Sequence, residues 1–156
     1  MKKIVTLIIC LAIPLTVGWI SGSAPSGYEN EWYQSLQKPS FNPPGYLFGI
    51  VWSILYLLMG ISLFLIWQSP ASSQRNKALT LFAVQLVLNF AWSFIFFSFE
   101  EAGWALIEII ILLGIIVAMI LAFKKVNTIA AWLQVPYLLW VCFATVLNAT
   151  IWWLNR

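Results

Sequence analysis

The stretch GWALIEIIILLGIIVAMILAF, residues 103–123, sets the class of this protein. It holds a single charged residue, Glu108, in a run long enough to cross the hydrocarbon core of a bilayer, which takes about 20 helical residues. The rest of the chain is similar, because 62% of its 156 residues are hydrophobic and only 8% are charged. A soluble domain has about a quarter charged residues. The sequence therefore predicts a protein whose solvent is mostly lipid.

Four further apolar runs of similar length accompany this one. The five candidate spans lie near residues 4–21, 46–67, 78–99, 103–123 and 130–153. Alternation of apolar and polar residues over about ten positions, which marks a membrane β-strand, occurs nowhere in the sequence. We therefore predict an all-α integral membrane protein, with residues 1–156 forming one domain of five transmembrane helices.

The distribution of lysine and arginine predicts the orientation of these helices. If the spans alternate, six basic residues lie on the side of the N-terminus and two on the other side: Lys2, Lys3, Arg75, Lys77, Lys124 and Lys125 against Lys38 and Arg156. Cytoplasmic loops carry the excess of basic residues, so the N-terminus is expected in the cytoplasm and the C-terminus outside. The net charge of +3 thus reports topology and does not indicate a nucleic-acid partner.

The N-terminus has an alternative interpretation as a secretory signal. Lys2 and Lys3, the apolar run after them and the small residues 21–24 all fit a cleaved signal peptide. However, the apolar run is long for a signal, and its removal would leave four helices that need the reverse orientation. We favour a first transmembrane helix.

The connection over residues 22–45 is unusually long for this chain, where the other connections take ten residues or fewer. Its central part, WYQSLQKPSFNPP at residues 32–44, is aromatic and stiffened by three prolines. Asn30 is expected to cap a short helical turn. Pro43 and Pro44 suit the start of the next helix, because proline at the first helical position costs no hydrogen bond. We predict an ordered loop that covers a ligand pocket.

Polar residues recur at helical spacing inside the predicted helices. They form three stripes: Gln85, Asn89 and Ser93; Trp140, Ala144, Asn148 and Trp152, with Thr145 beside them; and Trp52 with Tyr56. Amides of this kind often do no more than join helices, through hydrogen bonds of about 1 kcal/mol each. By themselves the stripes favour this joining role over a ligand site by roughly two to one.

The tryptophans shift the balance toward a ligand site. Four of the ten lie near helix ends, where tryptophan is common at the membrane interface: Trp19, Trp67, Trp104 and Trp153. Trp52 and Trp140 lie deeper, and a buried indole N–H needs a partner. The loop residues Trp32, Tyr33 and Phe41 are expected to close an aromatic box over them, a host for a flat ligand.

Three further features have structural interpretations. Glu108 is expected to extend toward the membrane interface rather than to serve a proton relay. Cys10 and Cys142 lie within helices and are expected to be small buried side chains. Small residues four apart predict helix contacts or a homodimer face, at Gly18 and Gly22, Gly45 and Gly49, and Gly114, Ala118 and Ala122.

This chain lacks the residues that several kinds of catalytic and metal chemistry require. It has no histidine, no cluster with metal-ligand spacing, no glycine-rich phosphate loop and no nucleophile with a base. A hydrolase or phosphate-driven pump is therefore not expected, no metal site is predicted, and a bound porphyrin would lack the usual histidine ligand to iron.

Taken in order, these motifs resemble the TspO/MBR family, the translocator proteins or peripheral-type benzodiazepine receptors. The matching segments are Trp32-Tyr33-x2-Leu36-x-Lys38-Pro39-x-Phe41-x-Pro43-Pro44, Val51-Trp52-x2-Leu55-Tyr56-x2-Met59-Gly60, Leu88-Asn89-x2-Trp92, Gly103-Trp104-Ala105-Leu106 and Pro136-Tyr137-x2-Trp140-x2-Phe143-Ala144-Thr145-x-Leu147-Asn148-x3-Trp152. The resemblance covers the chain from the loop to the C-terminus. Phe41 departs from the family, where tryptophan is common.

The resemblance implies a five-helix bundle in a bacterial cell membrane, often dimeric. It would need no cofactor and would bind protoporphyrin IX, related tetrapyrroles or aromatic drug-like ligands beneath the first loop. With the stripes above, the expected ligand-binding residues are Trp32, Tyr33, Phe41, Pro43, Trp52, Tyr56, Asn89, Trp92, Trp140, Ala144, Leu147 and Asn148.

The residues leave three functions open. The chain could bind or sense a porphyrin, or it could promote light- and oxygen-dependent breakdown of the porphyrin, for which the resemblance implicates Trp52 and Trp140. A transporter of porphyrins or other small hydrophobic ligands ranks third, because five helices do not provide the usual paired inverted repeats. Membrane lipid is the remaining expected partner, and no nucleic acid is expected.

Overall fold

The computed structural model describes the backbone of residues 1–156 and the side chains of all of them except residues 24–26. This part of the chain contains helices and no strand. In chain order they are α1 (Lys2–Gly22), a 3-10 helix (Ala24–Glu29), α2 (Glu31–Ser35), α3 (Gly45–Gln68), α4 (Ser73–Ser93) with a π-helical segment (Phe94–Ser98), α5 (Ala102–Lys124), α6 (Thr128–Leu133) and α7 (Val135–Leu154). Five helical segments are long and apolar enough to cross a membrane, which confirms the predicted fold class.

The fifth helix shows why these sequences form membrane helices. Its buried positions recur at intervals of three and four residues: Ala105, Ile109, Leu112, Ile116 and Met119. The opposite side is equally apolar but exposed, with Ile107, Ile110 and Ile111 more than half accessible. A helix that is apolar all round must face either a protein core or lipid. Here one side packs into the bundle and the other is left for lipid.

The last span differs from the single helix predicted for residues 130–153. It breaks at Gln134 into α6 and α7, and Pro136 lies in the first turn of α7. Proline has no backbone N–H and disfavours helical geometry in the residue before it, so a helix tends to stop and restart there. Ser62 of α3 donates a hydrogen bond of 2.7 Å to the Ala130 carbonyl and thereby ties α6 to the bundle.

The predicted helical turn in the long loop is confirmed as α2. The Asn30 Oδ1 atom accepts hydrogen bonds from the backbone N–H groups of Trp32 (2.8 Å) and Tyr33 (3.3 Å), which caps this helix. The next helix, α3, begins at Gly45, and Pro44 precedes it in an extended conformation. We call the end of the bundle that carries this loop the loop end.

Two asparagines fix the loop to the bundle. Asn30 Nδ2 donates to the Phe97 carbonyl at 3.0 Å. At the end of α7, the Asn155 amide pairs with the backbone of Gln37: Asn155 Oδ1 accepts from the Gln37 N–H and Asn155 Nδ2 donates to the Gln37 carbonyl, both at 2.9 Å. The loop is therefore held at the beginning and in the middle of its course.

The backbones of α1 and α3 come closest outside the small-residue motifs, whereas Gly18 of the first motif packs on α3 as predicted, since a Cβ added there would lie 2.3 Å from the Tyr56 ring. A Cβ atom added at Gly60 would lie 2.7 Å from the Leu11 Cα atom, so the two backbones nearly touch there. By contrast, no described atom lies within 4 Å of a Cβ added at Gly22 or Gly49. The predicted helix contact is wrong at these two glycines, because α1 and α3 separate toward the loop end.

Candidate functional site

A cavity of about 460 Å³ lies inside the loop half of the bundle. Its walls come from all five spans and its roof from the loop. The lining is rich in aromatic side chains, contributed by Trp19, Tyr28, Tyr33, Phe48, Trp52, Tyr56, Trp92, Phe96, Phe97 and Trp140. Small-molecule sites usually have volumes of about 300–1,000 Å³, mostly apolar walls and a few polar groups. The cavity therefore has the size and character of a ligand site.

The roof is built from rings that pack edge to face. The Tyr28 ring lies 5.7 Å from the Tyr33 ring and 5.3 Å from the Phe97 ring, and it stacks on Phe48 at 4.2 Å. The Tyr33 hydroxyl donates a hydrogen bond to Asn42 Oδ1 at 3.2 Å. Burial raises the pKa of the Tyr33 hydroxyl above its usual value, so the hydroxyl remains a neutral donor at physiological pH.

The π-helical segment explains how two consecutive phenylalanines both face inward. Phe96 and Phe97 are only 2% and 4% exposed. In a regular α-helix, neighbouring side chains point about 100° apart, whereas a π-helical turn changes this register and is frequent at functional sites. The Trp92 ring stacks on Phe96 at 5.0 Å and extends this aromatic surface down one wall.

A chain of hydrogen bonds forms the floor of the cavity. Tyr56 donates to Asn89 Oδ1, and Asn89 Nδ2 donates to the Tyr137 hydroxyl at 3.1 Å. Tyr137 in turn donates to Gln85 Oε1 at 2.8 Å. Three helices, α3, α4 and α7, are joined by these groups. The polar stripe of α4 thus joins helices through hydrogen bonds, as predicted. Asn89 also lines the cavity.

A second amide does the same work nearer the loop end. Asn148 Oδ1 accepts from the Trp92 indole N–H at 3.1 Å, and Asn148 Nδ2 donates to the Ala102 carbonyl at 2.9 Å. The Trp140 indole nitrogen, in contrast, is buried and has no hydrogen-bond partner within the described structure. A buried indole N–H is costly to leave unpaired, so the Trp140 side chain, whose residue lines the cavity, is a candidate contact for a ligand.

Nine of the twelve expected ligand-binding residues line this cavity. They are Tyr33, Trp52, Tyr56, Asn89, Trp92, Trp140, Ala144, Leu147 and Asn148. The two tryptophans singled out for photochemistry come from different helices: Trp52 stacks on Tyr56 at 5.5 Å, and Trp140 lies 5.8 Å from Phe48.

Three expected residues lie outside the lining, which corrects the predicted lid. The Trp32 side chain points in a different direction from the Tyr33 side chain on α2. Its ring packs against Phe96, with ring centres 5.5 Å apart, and does not line the cavity. Phe41 is 47% exposed and contacts Phe143 rather than the cavity, and Pro43 is not part of the lining either. Of the three rings predicted to close the box, only Tyr33 covers it. Tyr28 completes the roof.

A four-residue spacing could have revealed one wall residue that the sequence interpretation missed. Phe48, Trp52 and Tyr56 lie one helical turn apart on α3, so extending the Trp52–Tyr56 stripe backward by one turn gives Phe48. Tyr28 carried no such signal, because it lies in the 3-10 helix in the first part of the loop.

Lys38 supports the roof. Its Nζ atom donates hydrogen bonds of 3.2 Å to the carbonyls of Gln34 and Leu36 and lies 4.8 Å from the centre of the Tyr33 ring. The ammonium group therefore closes the end of α2 and holds the Tyr33 ring from above.

Glu108 does not extend to the membrane interface as predicted. It is 8% exposed, and both carboxylate oxygens are buried with no hydrogen-bond partner in the described structure. Its position on the buried stripe of α5, one residue before Ile109, directs it into the bundle. Among the described residues, no group of three acidic, cysteine or histidine side chains could hold a metal ion.

Comparison with known proteins agrees with this architecture. The TspO/MBR family matches residues 10–154. The chain is 40% identical to the tryptophan-rich protein TspO of Chlorobaculum tepidum, over 99% of this chain and 98% of that protein. It is also 40% identical to the human translocator protein (78% of this chain, 73% of that protein) and 37% identical to the tryptophan-rich sensory protein of Cereibacter sphaeroides (76% and 73%). Sequence motifs, five-span bundle and relatives agree, and the chain belongs to the TspO/MBR family of membrane proteins.

Proposed function

We propose that this protein binds a tetrapyrrole, with protoporphyrin IX as the reference ligand, in the cavity beneath Tyr33, and that it acts as a membrane sensor or reservoir for that ligand. The observation that carries the proposal is the cavity of about 460 Å³, rich in aromatic side chains, beneath the loop. A flat, conjugated macrocycle gains most from stacked and edge-on ring contacts. The word "sensory" in the name of the Cereibacter sphaeroides relative supports a sensing role.

The polar groups of the site favour a metal-free ligand. The chain has no histidine, the common axial ligand of haem iron. Asn89 and Asn148 use both ends of their amides within the bundle, so they do not offer a set of ligands to a metal. The indole N–H of Trp140 is buried and unpaired, and a small rotation of the ring would bring it to an acceptor at the edge of the macrocycle.

The proposal extends to location and assembly. The excess of lysine and arginine on one side supports a cytoplasmic N-terminus in the bacterial cell membrane. A homodimer in that membrane is the assembly that the family resemblance suggests.

Fluorescence titration of the purified protein with protoporphyrin IX tests the binding proposal. We expect saturable quenching of tryptophan fluorescence and a loss of about tenfold in affinity for Trp140→Phe, because one hydrogen bond of about 1.4 kcal/mol corresponds to a factor of ten. Trp132→Phe is the matched control, since Trp132 is 69% exposed on α6 and is not part of the lining. Equal affinity of both variants, or no saturable binding, would refute the proposal.

A second candidate activity is light- and oxygen-dependent breakdown of the bound porphyrin. The observation that favours it is the presence of two tryptophans, Trp52 and Trp140, in the wall of one cavity. Light would be absorbed by the porphyrin and molecular oxygen would be the oxidant, while the indoles would hold the macrocycle and quench or relay its excited state. We expect illumination in air to bleach porphyrin in the presence of the wild-type protein, and Trp52→Phe with Trp140→Phe to abolish the protein-dependent part. Bleaching that persists in the double variant, or without oxygen, would exclude these roles.

A further inference from the structure

The first observation is where α1 and α3 touch. These antiparallel helices are in closest contact at Leu11 and Gly60, where an added Cβ atom would lie 2.7 Å from the Leu11 Cα and 2.9 Å from the Cys10 carbonyl oxygen. From that crossing, Gly22 lies eleven residues further along α1 toward the loop end, and Gly49 lies eleven residues in the same direction along α3. At 1.5 Å per residue, both glycines are about 16 Å from the crossing.

The second observation is that the space between the two helices is open at this level. No described atom lies within 4 Å of a Cβ added at Gly22 or at Gly49. Closer to the crossing the gap is filled, since a Cβ at Gly18 would lie 2.3 Å from the Tyr56 ring. The two helices therefore diverge toward the loop end, and Tyr56 forms the floor of the opening between them.

The third observation connects this opening to the cavity. The lining of the cavity includes Gly22 and Gly49 themselves, together with Trp19 and Ser53. All four are exposed on the outer surface of the bundle, and Trp19 is 77% exposed. These residues lie within membrane-length segments, so the surface they share faces lipid. The cavity wall is thus continuous with the lipid-facing side of the bundle.

The fourth observation concerns the route from water. The loop covers the cavity with Tyr33, which is 5% exposed. The loop is fastened by the hydrogen bonds from Asn30 to Phe97 and from Asn155 to Gln37, and Lys38 holds the Tyr33 ring. A ligand arriving from water would have to break these contacts, whereas a ligand arriving between α1 and α3 would break none of them.

We propose that the gap between α1 and α3, bordered by Gly18, Gly22, Gly45 and Gly49, is a lateral portal through which the cavity exchanges its ligand with the membrane leaflet on the loop side. The portal admits flat amphiphiles that are already dissolved in that leaflet. Glycine at its border keeps the opening wide without a side chain to displace. The identity of the ligand rests on the proposed function; the portal itself does not.

A labelling experiment tests the portal without any porphyrin. Ala144→Cys places a thiol on the cavity wall, in a background with Cys10→Ala and Cys142→Ala. Protein in phosphatidylcholine vesicles is treated either with pyrene maleimide dissolved in the bilayer or with a charged maleimide in the water. We expect the bilayer reagent to react at least tenfold faster, and Gly49→Leu to slow that reaction at least tenfold.

The matched control is Gly114→Leu. Gly114 is an exposed helical glycine on α5, with no described atom within 4 Å of its added Cβ, and it is not part of the cavity lining. Leucine at either position improves helix propensity, and its Cβ atom would have no neighbour from another element within 4 Å, so both variants should fold. We expect the control to change the labelling rate less than twofold. The portal is refuted if Gly49→Leu labels at the wild-type rate or if the charged reagent reacts as fast as the bilayer reagent.

Porphyrin kinetics then separate the portal from the proposed function. For protoporphyrin IX delivered from vesicles, Gly49→Leu should slow association and dissociation together by about tenfold, because a narrowed passage raises the barrier in both directions. A large change in Kd with unchanged dissociation would contradict the portal. Absence of porphyrin binding to the wild type, with labelling still blocked by Gly49→Leu, would refute the proposed function and support the portal.

Discussion

Asn89 and Asn148 show how one side chain can serve the bundle and the cavity together. Each lines the cavity, and each also joins helices through both ends of its amide. Helical spacing in the sequence placed them on inward-facing stripes, and the structure agrees. The partners could not be predicted, since they depend on how far each helix is shifted along its neighbour, which apolar sequence does not specify.

Individual ring positions in the loop were less predictable for a related reason. Trp32 and Tyr33 are adjacent on a helix of five residues, and the hydrogen bond from Asn30 Nδ2 to the Phe97 carbonyl fixes the start of this helix against the bundle. The prolines that follow carry Phe41 to the side of the cavity, toward Phe143. Local sequence indicated an ordered aromatic loop, whereas the direction of each ring was set by long-range contacts.

Glu108 provides a prediction about stability at the level of one residue. A buried carboxylate without a partner is destabilising, and Glu108→Leu should raise the free energy of unfolding by about 1–3 kcal/mol. Unfolding in detergent, followed by circular dichroism against denaturant, measures this change. Glu101→Leu is the control, because Glu101 is exposed at the start of α5 and its replacement should matter by less than about 0.5 kcal/mol. A destabilised Glu108→Leu variant would show that Glu108 has a partner in the membrane.

The long loop illustrates what is determined at the scale of an element. Its helical turn, its cap and its start of α3 follow from Asn30 and from the prolines, all of which act locally. Its attachment does not, since Gln37 and Asn155 are 118 residues apart in the chain. The last span also shows a local effect. Pro136 marks the break between α6 and α7, which a hydropathy profile alone does not reveal.

The attachment of the loop can be tested by hydrogen exchange. Asn155→Ala removes two hydrogen bonds to Gln37, so amides of residues 31–43 should exchange about tenfold faster, as expected for a loss of about 1.4 kcal/mol. Exchange in the core of α5 should not change. Asn76→Ala, at an exposed position in the first turn of α4 at the other end of the bundle, serves as the control. Unchanged exchange of the loop in Asn155→Ala would mean that other contacts hold it.

At the scale of the whole molecule, composition determined the architecture. Five apolar runs became five membrane-length segments, and their ends moved by only a few residues where polar residues extend a helix beyond the lipid, as Ser72 does by capping α4. The four tryptophans assigned to the membrane interface are all at least half exposed: Trp19, Trp67, Trp104 and Trp153. The cavity could not be predicted from composition, because its lining is assembled from side chains of all five spans and of the loop.

The orientation of the bundle in the membrane also gives a prediction. With the N-terminus in the cytoplasm, Ser40→Cys in the loop should react with a membrane-impermeant maleimide on intact cells, and Asn76→Cys in the first turn of α4 should react only after the cells are opened. Both positions are exposed, so neither thiol is hidden by the protein. The variants are made without Cys10 and Cys142 to remove background. The reverse pattern of labelling would place the basic loops outside.

The hydrogen-bonded amides of the cavity have a consequence for selectivity. The amides of Asn89 and Asn148 already form hydrogen bonds to neighbouring helices. A ligand rich in hydroxyl groups would therefore lose its hydrogen bonds to water and form few new ones in the cavity. The cavity should then select its ligands by their shape and thickness. We expect chemically unrelated molecules to bind with similar affinity if they are planar and hydrophobic. A sugar of the same volume should not bind.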